Sequence, residues 1–189
     1  MISGALDRAD VRDLAVASWQ LGRPLAGRAL AVAKRCSHGQ PQVLVTYPLL
    51  KAAEHDVAEH NVATRAGGAG PCCEPTPGVP PTWAPFPTVF WLTCPHLRSA
   101  VATLEGRGVI EDVRRIMRED VQFRLEYEEA NARYASQRIR LLDEADRARL
   151  QLDAQKDGPG AGMLRVIKES GVGGAAEWTG VKCLHMSVA

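Results

Sequence analysis

The run Thr88-Val-Phe-Trp-Leu92 is β-branched and aromatic, and Thr93-Cys94-Pro95 follows it without a break. The first part reads as a buried strand. The second reads as a helix start, a capping residue followed by proline at the first helical position. A strand that passes straight into a helix fixes the order of elements on both sides of it. It also puts Cys94 at the positive end of a helix dipole, where a thiol becomes more acidic and more reactive.

Upstream, Val11, Leu14 and Leu21 recur at helical spacing, which predicts a helix over Asp7–Leu21 ended by Gly22 and Pro24. Ala29–Arg35 and Gln42–Tyr47 read as strands joined by the Gly- and Pro-containing turn Cys36–Pro41, an antiparallel hairpin. The stretch 51–83 has a different character. Lys51–Arg65 is Ala-rich and polar with the periodicity of a weak helix at most, and Gly67–Pro81 is dominated by Gly and Pro. Such a composition buries too little apolar surface to offset its ordering entropy, so a disordered insertion is expected there, with Cys72 and Cys73 incidental to any site.

Downstream, helices are expected over Pro95–Glu105 and Val109–Met117, the first ended by Gly106 and Gly108. Glu119–Asp146 reads as one long helix with Phe123, Tyr127, Ala130, Tyr134 and Leu141 on one stripe, continuing into a charge-rich, solvated end over Asp143–Lys156. The stripe is of the kind that faces a core or a partner helix. Asp157–Gly162 breaks the chain, and Met163–Glu169 is compatible with helix or strand. Gly171–Gly174 is a glycine turn that lacks the lysine and serine of a phosphate-binding loop. Val181–Ala189 is apolar and stops mid-pattern, as a C-terminally truncated chain would.

The chain has 189 residues, which is first read as one domain, residues 1–189. Its net charge of +1 gives no bulk electrostatic signal for nucleic acid or an anionic membrane. Locally positive residues, Arg23, Arg28, Lys34 and Arg35, read as a solvated face. No run approaches a membrane span, and no secretory signal opens the chain. Five cysteines are an odd number in a chain too long to need stapling. They point to free thiols in a reducing, cytoplasmic setting.

Cysteine and histidine stand two apart three times: Cys36/His38, Cys94/His96 and Cys183/His185. Thiolate and imidazole suit zinc, and thiolates alone suit an iron–sulfur cluster. Cys36, Cys94, Cys183 and His185 are therefore the candidate metal ligands. The spacing is not that of the usual zinc knuckle, and Cys183 with His185 act together only where that end is extended or irregular. The competing view is that the cysteines are small core residues and the histidines surface ones. Separately, Cys94 is a candidate nucleophile with His96, or His185, as its base. No signature of a known cysteine enzyme surrounds it. A third function class is an interaction module using 119–146 for a protein partner or self-association.

Several pieces occur in one order: Gln20-Leu-Gly-Arg23, then Arg35-Cys36 with Gly39 and Pro41, then Thr46 and Pro48. Pro85-Phe-Pro-Thr88 follows, running into Phe90-Trp-Leu-Thr-Cys-Pro95, then Leu104-Glu105 with Gly108, Gly171-Val-Gly-Gly174 and Val181-Lys-Cys-Leu-His185. In this the chain resembles domain-of-unknown-function family 501, uncharacterised and mainly actinobacterial proteins. The resemblance implies a cytoplasmic bacterial-type domain and supplies no catalytic residues. The chain departs from the family pattern in the insertion 51–83 and in ending soon after His185.

The expected fold is α+β. A small antiparallel sheet of about three strands, Ala29–Arg35, Gln42–Tyr47 and Thr88–Leu92, is packed by several helices, one of them long. The expected function is that of an uncharacterised Cys/His metal-binding or regulatory domain. The alternatives are a small cysteine-dependent enzyme and a helical interaction module.

Overall fold

The computed structural model describes residues 7–51, 83–156 and 158–189. The weak helix and the Gly/Pro-rich stretch expected between 51 and 83 lie almost wholly outside these residues, as do Cys72 and Cys73.

The chain opens with β1 (Asp7–Arg8) and α1 (Val11–Leu21). The helix expected from Asp7 thus starts four residues later. The reason is a capping box: Asp10 accepts from the Asp13 N–H, and the Asp13 carboxylate accepts from the Asp10 N–H. Asp7 and Arg8 pair instead with β2 (Ala29–Arg35). Gly22, left-handed at φ 70°, ends α1 as expected. β2 and β3 (Pro41–Thr46) form the predicted hairpin, and β3 pairs on its other edge with β6 (Phe90–Leu92). The sheet runs β1-β2-β3-β6, antiparallel throughout. A second, two-stranded sheet joins β4 (Leu49–Lys51) to β5 (Trp83–Pro85).

Central β3 is buried on both faces, and its alternation divides the core. Val43 faces Leu92, Val101, Met117, Val181 and Leu184. Leu44 faces Ala17 of α1 and Val32. One face of the sheet therefore carries α1 and the other the later helices. A third cluster joins Tyr47 and Leu49 to Leu142, Leu150, Leu164 and Ile167. Each of the buried Val, Leu, Ile and Met side chains contributes about 1.5–3 kcal/mol relative to its exposure.

After the strand-to-helix junction come α2 (Pro95–Gly106) and α3 (Val109–Glu119), as the periodicity predicts. The long helix does not run to Asp146. It is two helices, α4 (Val121–Arg140) and α5 (Glu144–Gln155), because Asp143 turns extended and caps the second through the Asp146 N–H. Nor is α5 a solvated end: Leu150 is 2% exposed and packs on Leu164 and Ile167 of α6 (Pro159–Glu169). Met163–Glu169 is thereby helix, started by Pro159. Most of the stripe on α4 faces inward, with Phe123 and Tyr127 against the first cluster and Tyr134 buried, whereas Ala130 is exposed and Leu141 lies past the end of the helix. Gly173 and Gly174, both at positive φ, form a 3₁₀ turn before the extended segment that ends in α7 (Leu184–Ser187).

Arg138 on α4 is fully buried. Its guanidinium donates to three carbonyls, those of Ile167 at 2.7 Å, Pro87 at 2.9 Å and Ser170 at 2.5 Å. It thus ties α4 to the C-terminal end of α6, where a cation meets the negative end of the helix dipole, and to the strand-linking segment before β6. Burial lowers its pKa to about 10, so it stays charged at neutral pH.

Candidate metal centre

Arg98 and Glu105 stand seven residues apart on α2, two turns, and so share a face. Val101 lies between them and is buried against Leu184, so the segment Cys183–Ser187 lies along this face. Cys183 is extended at φ −155°, and the chain turns helical directly after it. That change of backbone lets a thiol and an imidazole two residues apart approach one partner together, which a continuous helix would not achieve.

Glu105, Cys183 and His185 place one ligand atom each within 4.8 Å of one another. The Glu105 Oε1 accepts the Leu184 N–H at 2.6 Å and lies 3.2 Å from His185 Nδ1. His185 Nε2 lies 3.2 Å from the Arg98 carbonyl oxygen. Arg98 in turn donates from its guanidinium to the Gln20 carbonyl at 3.1 Å, which holds α2 to the end of α1. The His185 and Glu105 side chains are 24% and 23% exposed, so an ion can reach them from solvent yet is partly shielded once there.

The chemistry of this donor set fits a borderline-soft cation. Sulfur, imidazole nitrogen and carboxylate oxygen are the zinc ligands, and donors on one tetrahedral zinc lie roughly 3.3–3.7 Å apart given the usual bond lengths. The carbonyl of Arg98 accepts from Nε2–H, which is the outer hydrogen bond that fixes the tautomer of a metal-binding histidine. Three protein donors leave a fourth position for water or a substrate.

The four residues expected as ligands do not meet as one set. Cys183 and His185 come together with Glu105. Cys94 caps α2 at its other end, eleven residues from Glu105, roughly 16 Å at the helical rise. Cys36 lies in the β2–β3 turn, donating its N–H to the Gln40 carbonyl. β3 lies between it and Cys94, whose N–H faces the Gln42 carbonyl, so the two sit on opposite edges of that strand. Cys94 is 8% exposed, and its side chain makes no capping hydrogen bond. His96 is exposed on the first turn of α2. Among the described residues no hydrogen bond joins Cys94 to His96 or to His185.

Glu105 is the member of the trio that sequence reasoning did not name. It is one carboxylate among many, 78 residues from Cys183 by numbering, and no spacing rule links them. The available signal was its place in the Leu104-Glu105 motif that, like Lys182-Cys183-Leu184-His185, carries the family resemblance.

A family model described as a protein of unknown function (DUF501) matches residues 32–189, a span that includes β2 through α7 and all three members of the trio. No curated protein matches the chain, and no solved structure matches it. Among the described residues, no helix is long and apolar enough to cross a membrane.

Proposed function

The chain belongs to the DUF501 family of proteins of unknown function, and from that premise we propose that it is a metal-binding domain holding a zinc-like divalent cation on Glu105, Cys183 and His185. One observation carries this reading: both ring nitrogens of His185 face acceptors, a carboxylate at 3.2 Å and a carbonyl at 3.2 Å. A neutral imidazole has one donor and one acceptor. With the proton on Nε2 at the Arg98 carbonyl, the Nδ1 lone pair points at the Glu105 carboxylate, an arrangement that a cation between them relieves. The Cys183 sulfur supplies the third donor. Bound there, the cation would act as a Lewis acid through its fourth position. The chain's own residues orient it: Arg98 sets the ring, and the Leu184 N–H sets the carboxylate.

The same distances favour one other reading, an imidazolium paired with Glu105 and no metal. The Cys94 nucleophile is set aside in favour of these two, because its thiol is buried and neither candidate base is bonded to it.

Metal analysis of protein purified without chelator decides the matter. About one zinc per chain is expected, with cobalt substitution giving a sulfur-to-metal charge-transfer band that Cys183→Ser abolishes. Protein that takes up neither metal, and whose melting temperature is unmoved by zinc, carries the ion pair instead. Retention of the cobalt band in Cys183→Ser would move the site elsewhere.

A further inference from the structure

A cleft of about 520 Å³ opens between the β2–β3 hairpin, α4 and the C-terminal segment. Its floor is apolar, with Val43, Phe90, Tyr134 and Val172, and its rim carries two cations, Lys34 and Arg133. No Asp or Glu lines it, though Ala189, which carries the chain's α-carboxylate, does. The volume falls in the range of small-molecule sites, which are mostly apolar with a few polar groups that orient the ligand.

The polar atoms nearest the floor are already engaged. The Tyr134 hydroxyl accepts the Val89 N–H at 2.9 Å and donates to the Pro87 carbonyl at 3.4 Å. Tyr134 therefore offers the cleft its ring, with the Phe90 ring 5.6 Å away. Ser187 donates to the Cys183 carbonyl. The rim is different. Lys34 has no ion pair among the described residues. Arg133 pairs with Glu129 at 2.6 Å, but that pair is exposed, and such pairs contribute little and exchange readily. The cleft thus joins a largely apolar floor, with the Gln137 amide as its neutral polar group, to an edge that carries Lys34 and Arg133.

We propose that this cleft binds an amphipathic organic anion, its apolar body on the Phe90 and Tyr134 rings and its carboxylate at Lys34 and Arg133. The proposal stands apart from the metal reading, since none of the trio lines the cleft.

Isothermal titration of the full chain with decanoate, decanol and decyltrimethylammonium tests it. Decanoate is expected to bind in preference to the cationic amphiphile. Ala130, exposed on α4 and lining the cleft, provides the filling variant. Ala130→Trp is expected to weaken decanoate by about tenfold by occupying the floor. Lys34→Glu with Arg133→Glu is expected to weaken decanoate by about fivefold, the loss of two exposed ion pairs, and to leave decanol unchanged. Should the tryptophan variant melt early, the charge-reversed variant alone decides. Absence of decanoate binding, equal binding of the anionic and cationic amphiphiles, or decanoate affinity unmoved in both variants overturns the proposal.

Discussion

Asp13 shows how much one carboxylate does for the N-terminal third. It takes two bonds from the Arg35 guanidinium, at 2.7 and 2.9 Å, while also closing the α1 capping box. The hydrogen bonds from Arg35 are the main reason that its pKa lies below the ordinary carboxylate value. A lowered folded value means the stabilisation is present above the unfolded value, about 3.9, and is lost as pH falls through the folded one. Asp13→Asn is expected to cost about 1.5–3 kcal/mol in urea unfolding at neutral pH and to flatten the acid limb of a stability–pH curve. The buried tyrosines act in the opposite range. Burial raises the pKa of Tyr134, and burial with the hydrogen bond to Asp146 raises that of Tyr47. Their contribution is complete below the unfolded value, about 10, and is lost as pH rises through the folded values. Melting temperature is therefore expected to fall above about pH 10, and less steeply in Tyr47→Phe. Arg138→Ala is expected to cost about 2–5 kcal/mol, because the buried carbonyls of Ile167 and Ser170 lose a charged donor and that of Pro87 keeps only the Tyr134 hydroxyl. The sequence marks Tyr134 as inward but gives no cue that Arg138, one turn on, follows it. A buried arginine is specified by distant carbonyls, and these leave no local pattern.

At the scale of elements, local signals were read correctly where they were local. The β2–β3 hairpin, the Cys94 junction and the α2 and α3 boundaries all rest on turn and cap residues within a few positions of each other. β1 escaped notice because two residues show no periodicity, and the β4–β5 pair because its partners are separated by more than thirty residues. The α4–α5 break was missed for a physical reason: Leu141-Leu142-Asp143 contains neither glycine nor proline, so helical propensity continues through it. The cap at Asp143 decides the boundary, and Asp143→Ala is expected to cost about 1 kcal/mol of stability. The glycine turn before the C-terminal segment is under a tighter constraint. Gly174 sits at φ +73°, and a Cβ there would lie 2.9 Å from the Pro87 ring. Gly174→Ala is expected to destabilise by more than Gly22→Ala, measured by thermal unfolding: both carry left-handed strain of about 1–3 kcal/mol, and only Gly174 adds the contact with Pro87.

For the whole molecule, the α+β class followed from the order of strands and helices, and the sheet consists of the predicted three strands, β2, β3 and β6, with β1 added at the β2 edge. What was not legible is the convergence of α2 with the last nine residues, which unites Glu105 with Cys183 and His185. That contact is set by Val101, Leu184 and Val181 entering one core with Val43, a tertiary outcome no spacing announces. Its consequence reaches beyond the trio. Residues 183 and 185 belong to the proposed metal centre, and residues 186–189 line the cleft. Two binding events that each order the same short stretch of backbone lower one another's ordering cost, and such linkage is reciprocal. Stripping the metal is expected to weaken decanoate by some factor, and saturating decanoate is expected to tighten zinc by that same factor. Paired titrations, each run with and without the other component, measure both sides of this cycle.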